Sequence, residues 1–181
     1  MANKTITKIL LDADVIIHFV KGGQQLILPN IFPEYSLCVL DKVSKELKYR
    51  SEYKNLFNFG TLTEIPFPND NPDIRKEYAL LLKSKKGDGE SACLAYLRFN
   101  PDILGSSNIK DIKAYCEEHQ IKYLTTMDFI CEANKKGILS EEECNEFIKL
   151  VISKGSILPC KSFYEYDCDT RSIIDIGKIG K

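Results

Sequence analysis

Histidine is scarce in this sequence, and three well-known local motifs are missing from it. Only two histidines, His18 and His119, are present, and no two cysteines form a C-x-x-C pair. Because structural zinc sites need closely spaced cysteines and histidines, no zinc site is expected. Neither a G-x-x-x-x-G-K-[ST] phosphate loop nor a G-x-G-x-x-G motif occurs. His18 lies in an apolar stretch and His119 ends a predicted helix, so both are expected to be structural rather than catalytic.

Net charge and long apolar runs are also lacking. The formal net charge is -1, so no overall field draws the protein to nucleic acid or to an anionic membrane. Any such contact has to come from a local basic cluster. No apolar run reaches membrane-spanning length. Asp12 and Asp14 interrupt the N-terminal run too early for a signal peptide, so a cytoplasmic location is expected.

The cysteines have no spacing that suggests a disulfide framework. Their number, 7, is odd. We therefore expect reduced thiols that mostly fill apolar space. They are Cys38, Cys93, Cys116, Cys131, Cys144, Cys160 and Cys168.

Alternating strand and helix signals are what the sequence does contain. With 181 residues, 44% of them apolar, the chain is long and apolar enough for one well-buried domain. The alternation predicts an α/β fold with parallel strands joined by helices. Strands are predicted at 8–11, 37–40, 102–107, 121–125 and, as an edge strand, 163–166, with helices at 15–20, 41–47, 74–83, 90–97, 108–119, 127–136 and 141–151. Residues 50–75 are otherwise predicted to be irregular.

The stretch from Lys8 to Phe19 is the most informative in the chain. An apolar run meets two carboxylates, Asp12 and Asp14, and then an apolar run resumes. This pattern predicts a buried strand that passes into a helix, with Asp12 at the carboxyl end of the strand, where open α/β sheets bind ligands. One of the two acids is expected simply to cap the helix, since aspartate is a favoured N-cap residue. Both together indicate the beginning of a metal site.

Further acidic residues follow the later strands and open the later helices. Glu46 lies beside the apolar stripe of its helix, and Glu90 lies in a first helical turn just after Gly87 and Gly89. Each also has a simpler interpretation, as a solvated glutamate or as a carboxylate favoured by the helix dipole. Asp111 or Asp128 adds a fourth acid. Scattered carboxylates of this kind suit hard divalent cations, which take oxygen ligands.

Three of these stretches together resemble the PIN domain family of metal-dependent ribonucleases. They are Ile9 to Ile17 with its acid, Val43-Ser44-Lys45-Glu46-Leu47, and Gly89-Glu90-Ser91-Ala92-Cys93-Leu94-Ala95. The resemblance covers about residues 5–155. It implies a three-layer α/β/α domain over residues 1–155, followed by a C-terminal extension, 156–181, that packs on the domain or on a partner. The stretch 123–139 is similar to the toxin-like prokaryotic branch of the family.

The resemblance also implies an activity, which is Mg²⁺- or Mn²⁺-dependent endoribonuclease cleavage by a metal-activated water. The implied catalytic residues are Asp12, Glu46, Glu90 and Asp111, of which Asp12, Glu90 and Asp111 would bind metal. The basic run that contains Lys83, Lys85 and Lys86 would contact the RNA backbone, although such a run is usually a solvated face. A small antitoxin protein and a second copy of the chain are the implied protein partners.

The fourth motif departs from the family pattern. Where one or two aspartates are usual, this chain has Ser106, Ser107 and Asn108, followed by Asp111. The further candidates for the site are therefore Asp14, Asp88, Ser107, Asn108 and Asp128. Because ligand charge helps to set cation affinity, a catalytically weak or inactive PIN-like binding module stays open as the alternative function.

Overall fold

The central sheet of this computed structural model has five parallel strands, within the residues that the structure describes: 6–48, 51–58, 60–84 and 86–169. The strands lie in the order β3-β2-β1-β4-β5, flanked by helices, so the α/β prediction is confirmed. Their bounds are β1 Lys8–Leu11, β2 Ser36–Leu40, β3 Thr63–Ile65, β4 Ile103–Gly105 and β5 Tyr123–Leu124.

Helices connect the strands, and most lie where the sequence predicts them. Their bounds are α1 Ala13–Lys21, α2 Leu28–Ile31, α3 Asp41–Lys48, α4 Ser51–Asn58, α5 Pro72–Lys83, α6 Asp88–Arg98, α7 Ile109–Glu118, α8 Thr126–Lys135 and α9 Glu141–Ser153. Two 3₁₀ turns, Gln25–Ile27 and Phe163–Glu165, complete the described elements. None of the helices described here is long and apolar enough to span a membrane.

The parallel neighbours β1 and β4 mark the point at which the order of strand addition reverses. After β1 the chain adds β2 and β3 on one side, and β4 and β5 then lie on the other side. The apolar run of β1 is explained by its central position, because Ile9, Leu10 and Leu11 are fully buried between the helical layers. In such a sheet the crevice at the reversal point, outside the carboxyl ends of the strands, is the usual place for a ligand.

A glycine permits close packing at this reversal point. A Cβ atom on Gly105, the last residue of β4, would lie 2.6 Å from Cδ2 of Leu11 in β1. The ladder continues one residue further, since the Asp12 amide donates to the Gly105 carbonyl at 2.8 Å. The first acid is therefore fixed at the carboxyl edge of the sheet by its own backbone.

Two local predictions are wrong. The region 50–75 is not irregular, because it contains α4 and β3. Tyr53 and Leu56, three residues apart, bury one face of α4, while β3 forms by pairing with β2 rather than by any alternation of its own. The predicted edge strand at 163–166 is instead a 3₁₀ turn, in which the Phe163 amide donates to Oδ1 of Asn145 on α9 at 3.2 Å.

The prediction that all cysteines are reduced is also wrong. Cys131 in α8 and Cys168 in the C-terminal extension form a disulfide. The other described cysteines are free thiols, and Cys38, Cys93, Cys116 and Cys144 are buried as expected. The disulfide attaches the described part of the extension to the domain. Residues 170–181 of the extension lie outside the described residues.

Candidate active site

A cleft of about 530 Å³ lies at the reversal point of the sheet. Side chains from the end of β1, from α1, α3, α6 and α7 and from the loops before α6 and α7 line it. The polar and charged ones are Asp12, Asp14, Glu46, Ser84, Lys86, Glu90, Asn108 and Asp111. All four acids named as catalytic from the sequence therefore reach the same cleft, although the chain separates the first from the last by most of the domain.

Asp12 is a buried acid with few interactions that offset the cost of burying its charge. Its Oδ1 accepts a hydrogen bond from the Ala13 amide at 2.8 Å, so Asp12 caps α1. Burial raises the pKa of Asp12 to about 8, and repulsion from Asp14, Glu90 and Glu46 adds to the effect. The capping role expected for one of the two aspartates is confirmed, and the same side chain still lines the cleft.

Asp14 binds the loop that follows β4. Its Oδ2 accepts a hydrogen bond from the Ser107 amide at 2.7 Å and one from the Ser106 hydroxyl at 3.3 Å. Burial raises the pKa of Asp14, while these hydrogen bonds oppose the shift. The serines that replace the expected acids thus donate to an aspartate. This loop is held in place by an acid on α1.

Glu90 and Asp111 are linked through a single amide. Nδ2 of Asn108 donates to Oε2 of Glu90 at 2.9 Å and to Oδ2 of Asp111 at 2.8 Å. Because an amide NH₂ group carries two hydrogens, both bonds form together. Glu90 is buried, whereas Asp111 is exposed on the first turn of α7. Asn108 therefore holds two like-charged side chains at one edge of the cleft.

Lys86 adds the positive charge at that edge. Its Nζ lies 3.1 Å from Oε1 of Glu90 and also donates to the backbone carbonyl of Asp111. Lys83 is exposed at the end of α5 and does not line the cleft. Lys85 lies outside the described residues. Of the predicted RNA-contacting lysines, the structure brings Lys86 to the site.

Glu46 joins α3 to the beginning of α6. Its Oε1 accepts a hydrogen bond from the Gly89 amide at 2.8 Å. A Cβ atom on Gly89 would lie 3.0 Å from Cγ2 of Val43 and 3.1 Å from Oε1 of Glu46, so the glycine permits this approach. Glu46 thus points toward the sheet rim, while its contact with the helix N-terminus is the favourable one for a carboxylate.

Three of the further candidates have other roles. Asp128 is buried and forms a capping box with Thr125, whose amide donates to Oδ2 of Asp128 at 2.6 Å. The Ser107 hydroxyl pairs with the Thr126 hydroxyl at 2.7 Å and accepts from the Thr126 amide at 2.8 Å. Asp88 is exposed and accepts from the Tyr78 hydroxyl. None of the three lines the cleft.

Sequence reasoning missed the contacts of two buried residues. Cys93 is fully buried, and burial together with repulsion from Asp12, Asp14, Glu46 and Glu90 raises its thiol pKa well above the ordinary value. His18 is also buried, and its Nδ1 lies 2.8 Å from the Thr126 hydroxyl. Burial lowers the pKa of His18 to about 4. The apolar neighbours of each residue signalled its burial, but no sequence spacing indicated the contacts.

The cleft contains oxygen donors of the kind that hard divalent cations take. The carboxylates Asp12, Glu90 and Asp111 supply oxygen donors, and a bound cation would favour the ionised form of Asp12, whose pKa is raised first by burial and then by the neighbouring acids. Among the described residues, however, no three acidic, histidine or cysteine side chains lie together in a way that could hold a metal ion. The hydrogen bonds of Lys86 and Asn108 to Glu90, and of Asn108 to Asp111, already satisfy oxygens of these two acids.

Comparison of the chain with models of known protein families finds no match, and comparison with curated protein sequences finds none either.

Proposed function

We propose that this chain is a PIN-like endoribonuclease, a hydrolase that depends on Mg²⁺ or Mn²⁺ and cleaves RNA phosphodiesters in the cleft between β1 and β4. One observation carries this proposal. The acids of three separate sequence motifs, Asp12, Glu46 and Glu90, line a single cleft together with Asp111. The cleft is at the reversal point of a parallel sheet, where the fold class binds its ligands.

Asp12 and Glu90 would be the central metal ligands, and Asp111 would add a third oxygen donor. A divalent cation bound there would lower the pKa of a water molecule and stabilise negative charge on the phosphodiester oxygens. The chain's own groups prepare the cleft for this. Glu46 fixes the first turn of α6 and so the position of Glu90, and Asp14 fixes the loop that carries Asn108.

RNA binding would depend on local rather than overall charge. The protein has a net charge of -1, and the cleft itself is acidic. Among the described residues, Lys86 is the positively charged side chain that lines the cleft, and Lys83 lies outside the cleft at the end of α5. We infer that these lysines, together with Lys85, attract the phosphate backbone, and that binding weakens steeply as salt rises.

The biological setting forms part of the same proposal. By its resemblance to the toxin-like PIN branch, the protein would act in the cytoplasm as the toxin of a toxin–antitoxin pair, bound by a small antitoxin protein and forming a homodimer. The Cys131–Cys168 bond is unusual for that compartment. Co-purification of the chain with a co-expressed small protein that also abolishes RNA cleavage would support this role.

The nuclease activity is tested with variants of two central acids. Asp12→Asn and Glu90→Gln should each lower cleavage of single-stranded RNA by about 100-fold or more, since a lost metal ligand removes several kcal/mol of transition-state stabilisation. The matched control is Glu142→Gln, which changes an exposed acid in the first turn of α9. Chelation of divalent cations should abolish wild-type cleavage. Equal cleavage by all variants would refute the assignment and would indicate a contaminating nuclease.

One observation favours the second candidate function, a catalytically weak or inactive PIN-like binding module. Both Glu90 oxygens already accept hydrogen bonds, from Lys86 and from Asn108. A protein of this kind would retain single-stranded RNA or a protein partner without cleaving anything. RNA binding that is unchanged by chelator, with no cleavage at high Mn²⁺, would select this function.

A further inference from the structure

Lys86 is held inside the cleft rather than in solvent. Its side chain is 17% exposed, and that of its partner Glu90 is 9% exposed. The ammonium donates to Oε1 of Glu90 at 3.1 Å and to the backbone carbonyl of Asp111. It therefore connects the first turn of α6 with the first turn of α7, although Lys86 itself lies in the loop before α6.

This ammonium contacts a Glu90 oxygen that a cation bound to Glu90 would also use. Asn108 satisfies the second oxygen of Glu90 and one oxygen of Asp111. Lys86 and Asn108 thus satisfy oxygens of two proposed metal ligands. Two cations cannot share Glu90 at hydrogen-bond distance without strong repulsion, because Coulomb energy between close charges is large where water is partly excluded.

We propose that Lys86 is an internal counter-ion of the cleft, and that a divalent cation binds Glu90 and Asp111 only after the Lys86 ammonium has moved away from them. This inference rests on the proposed function, because it concerns the same carboxylates. Two consequences follow from it. Lys86 stabilises the metal-free protein by compensating the buried Glu90, and it lowers the affinity of the cleft for metal.

The first measurement is the affinity for Mn²⁺ in the absence of RNA. It is determined from the electron paramagnetic resonance signal of free Mn²⁺. Lys86→Met keeps most of the aliphatic stem and removes the charge. It should bind Mn²⁺ at least about tenfold more tightly than the wild type, because one close positive charge has been removed. Lys149→Met is the matched control, since Lys149 is an exposed lysine of α9 that does not line the cleft. It should bind as the wild type does.

The second measurement is thermal unfolding with and without Mn²⁺. In chelator, Lys86→Met should unfold at a lower temperature than the wild type, because Glu90 then lacks its counter-ion. Saturating Mn²⁺ should raise its unfolding temperature by more than it raises that of the wild type. Lys86→Gln is a second neutral variant that can still donate to Glu90. Its Mn²⁺ affinity decides the matter if Lys86→Met does not fold.

The outcomes separate this inference from the proposed function. Equal Mn²⁺ affinity in the wild type and the neutral Lys86 variants would overturn the counter-ion role and leave metal-dependent cleavage standing. Absence of Mn²⁺ binding in all variants would overturn both, because the cleft would then not be a metal site. Tighter binding by the neutral Lys86 variants, with Lys149→Met unchanged, would establish the counter-ion role even if RNA is never cleaved.

Discussion

Asp12→Asn is expected to stabilise the metal-free protein, and to do so more strongly as the pH rises. The pKa of Asp12 is raised from 3.8 to about 8, chiefly by burial and then by repulsion from Asp14. Because the folded-state pKa lies above the unfolded value, the contribution of Asp12 to stability is fully present below pH 3.8 and is lost as the pH rises toward about 8. An asparagine carries no charge at any of these pH values.

The size of the effect follows from the shift. Between these two pKa values the wild type loses roughly 1.4 kcal/mol of unfolding free energy for each pH unit because of this group. From about pH 5 to about pH 8 the advantage of Asp12→Asn should therefore grow by up to about 4 kcal/mol. Asparagine is as good an N-cap residue as aspartate, so the hydrogen bond from the Ala13 amide is kept and does not offset the gain.

The assay is urea unfolding followed by far-ultraviolet circular dichroism, in chelator, at several pH values across this range. Asp73→Asn serves as the control, because Asp73 is an exposed acid in the first turn of α5. Substitution of this exposed side chain should change the unfolding free energy by no more than about 0.5 kcal/mol. A difference between wild type and Asp12→Asn that stays constant with pH, or that shrinks as the pH rises, would refute the electrostatic account of the cleft.

Three further predictions concern residues other than the acids. The His18 pKa is lowered from 6.5 to about 4, so the stabilising contribution of His18 is full above about pH 6.5 and falls by up to about 3 kcal/mol as the pH drops toward 4. In urea unfolding, His18→Gln should remove this loss of stability at low pH, and an unchanged loss would contradict the prediction. The cysteines of the Cys131–Cys168 bond are 37 residues apart, so its reduction should lower the free energy of unfolding by up to about 4 kcal/mol, because the unfolded chain gains loop entropy. Cys168→Ser should show the same loss without reductant, and an unfolding temperature that does not respond to reductant would count against the bond. In urea unfolding, Gly105→Ala should lower the free energy of unfolding by about 1–3 kcal/mol, because the added Cβ clashes with Leu11. Gly87→Ala, which has open space around it, should lower it much less, and equal losses would refute the clash.

The elements with strong periodic patterns were predictable from the sequence. The buried run of β1 and the caps of α8 and α9 follow from local residue chemistry, and these elements form where expected. β3 could not be found in this way, because the exposure of Thr63, Glu64 and Ile65 does not alternate. It is an edge strand that exists because β2 offers it a partner.

The candidate site was predictable in its acids but not in its hydrogen bonds. Parallel strands end at one edge of the sheet, so the acids after β1 and in the helices near that edge converge by topology alone. No local signal showed that Asp14 would bind the serines after β4, whereas the Thr125-x-x-Asp128 spacing is a local pattern that favours the capping box. The disulfide was missed for a related reason, since it joins residues 37 apart in the chain.

The double hydrogen bond of Asn108 constrains how this sequence can evolve. Asn108 stands in the region where the resemblance places an acid, and one nucleotide change converts an asparagine codon to an aspartate codon. Such a change would add a further carboxylate, but it would also delete the donor that joins Glu90 to Asp111. Three carboxylates would then meet with only Lys86 to offset them, and their mutual repulsion would destabilise the folded state. An acid at this position would therefore have to be accompanied by a compensating positive charge.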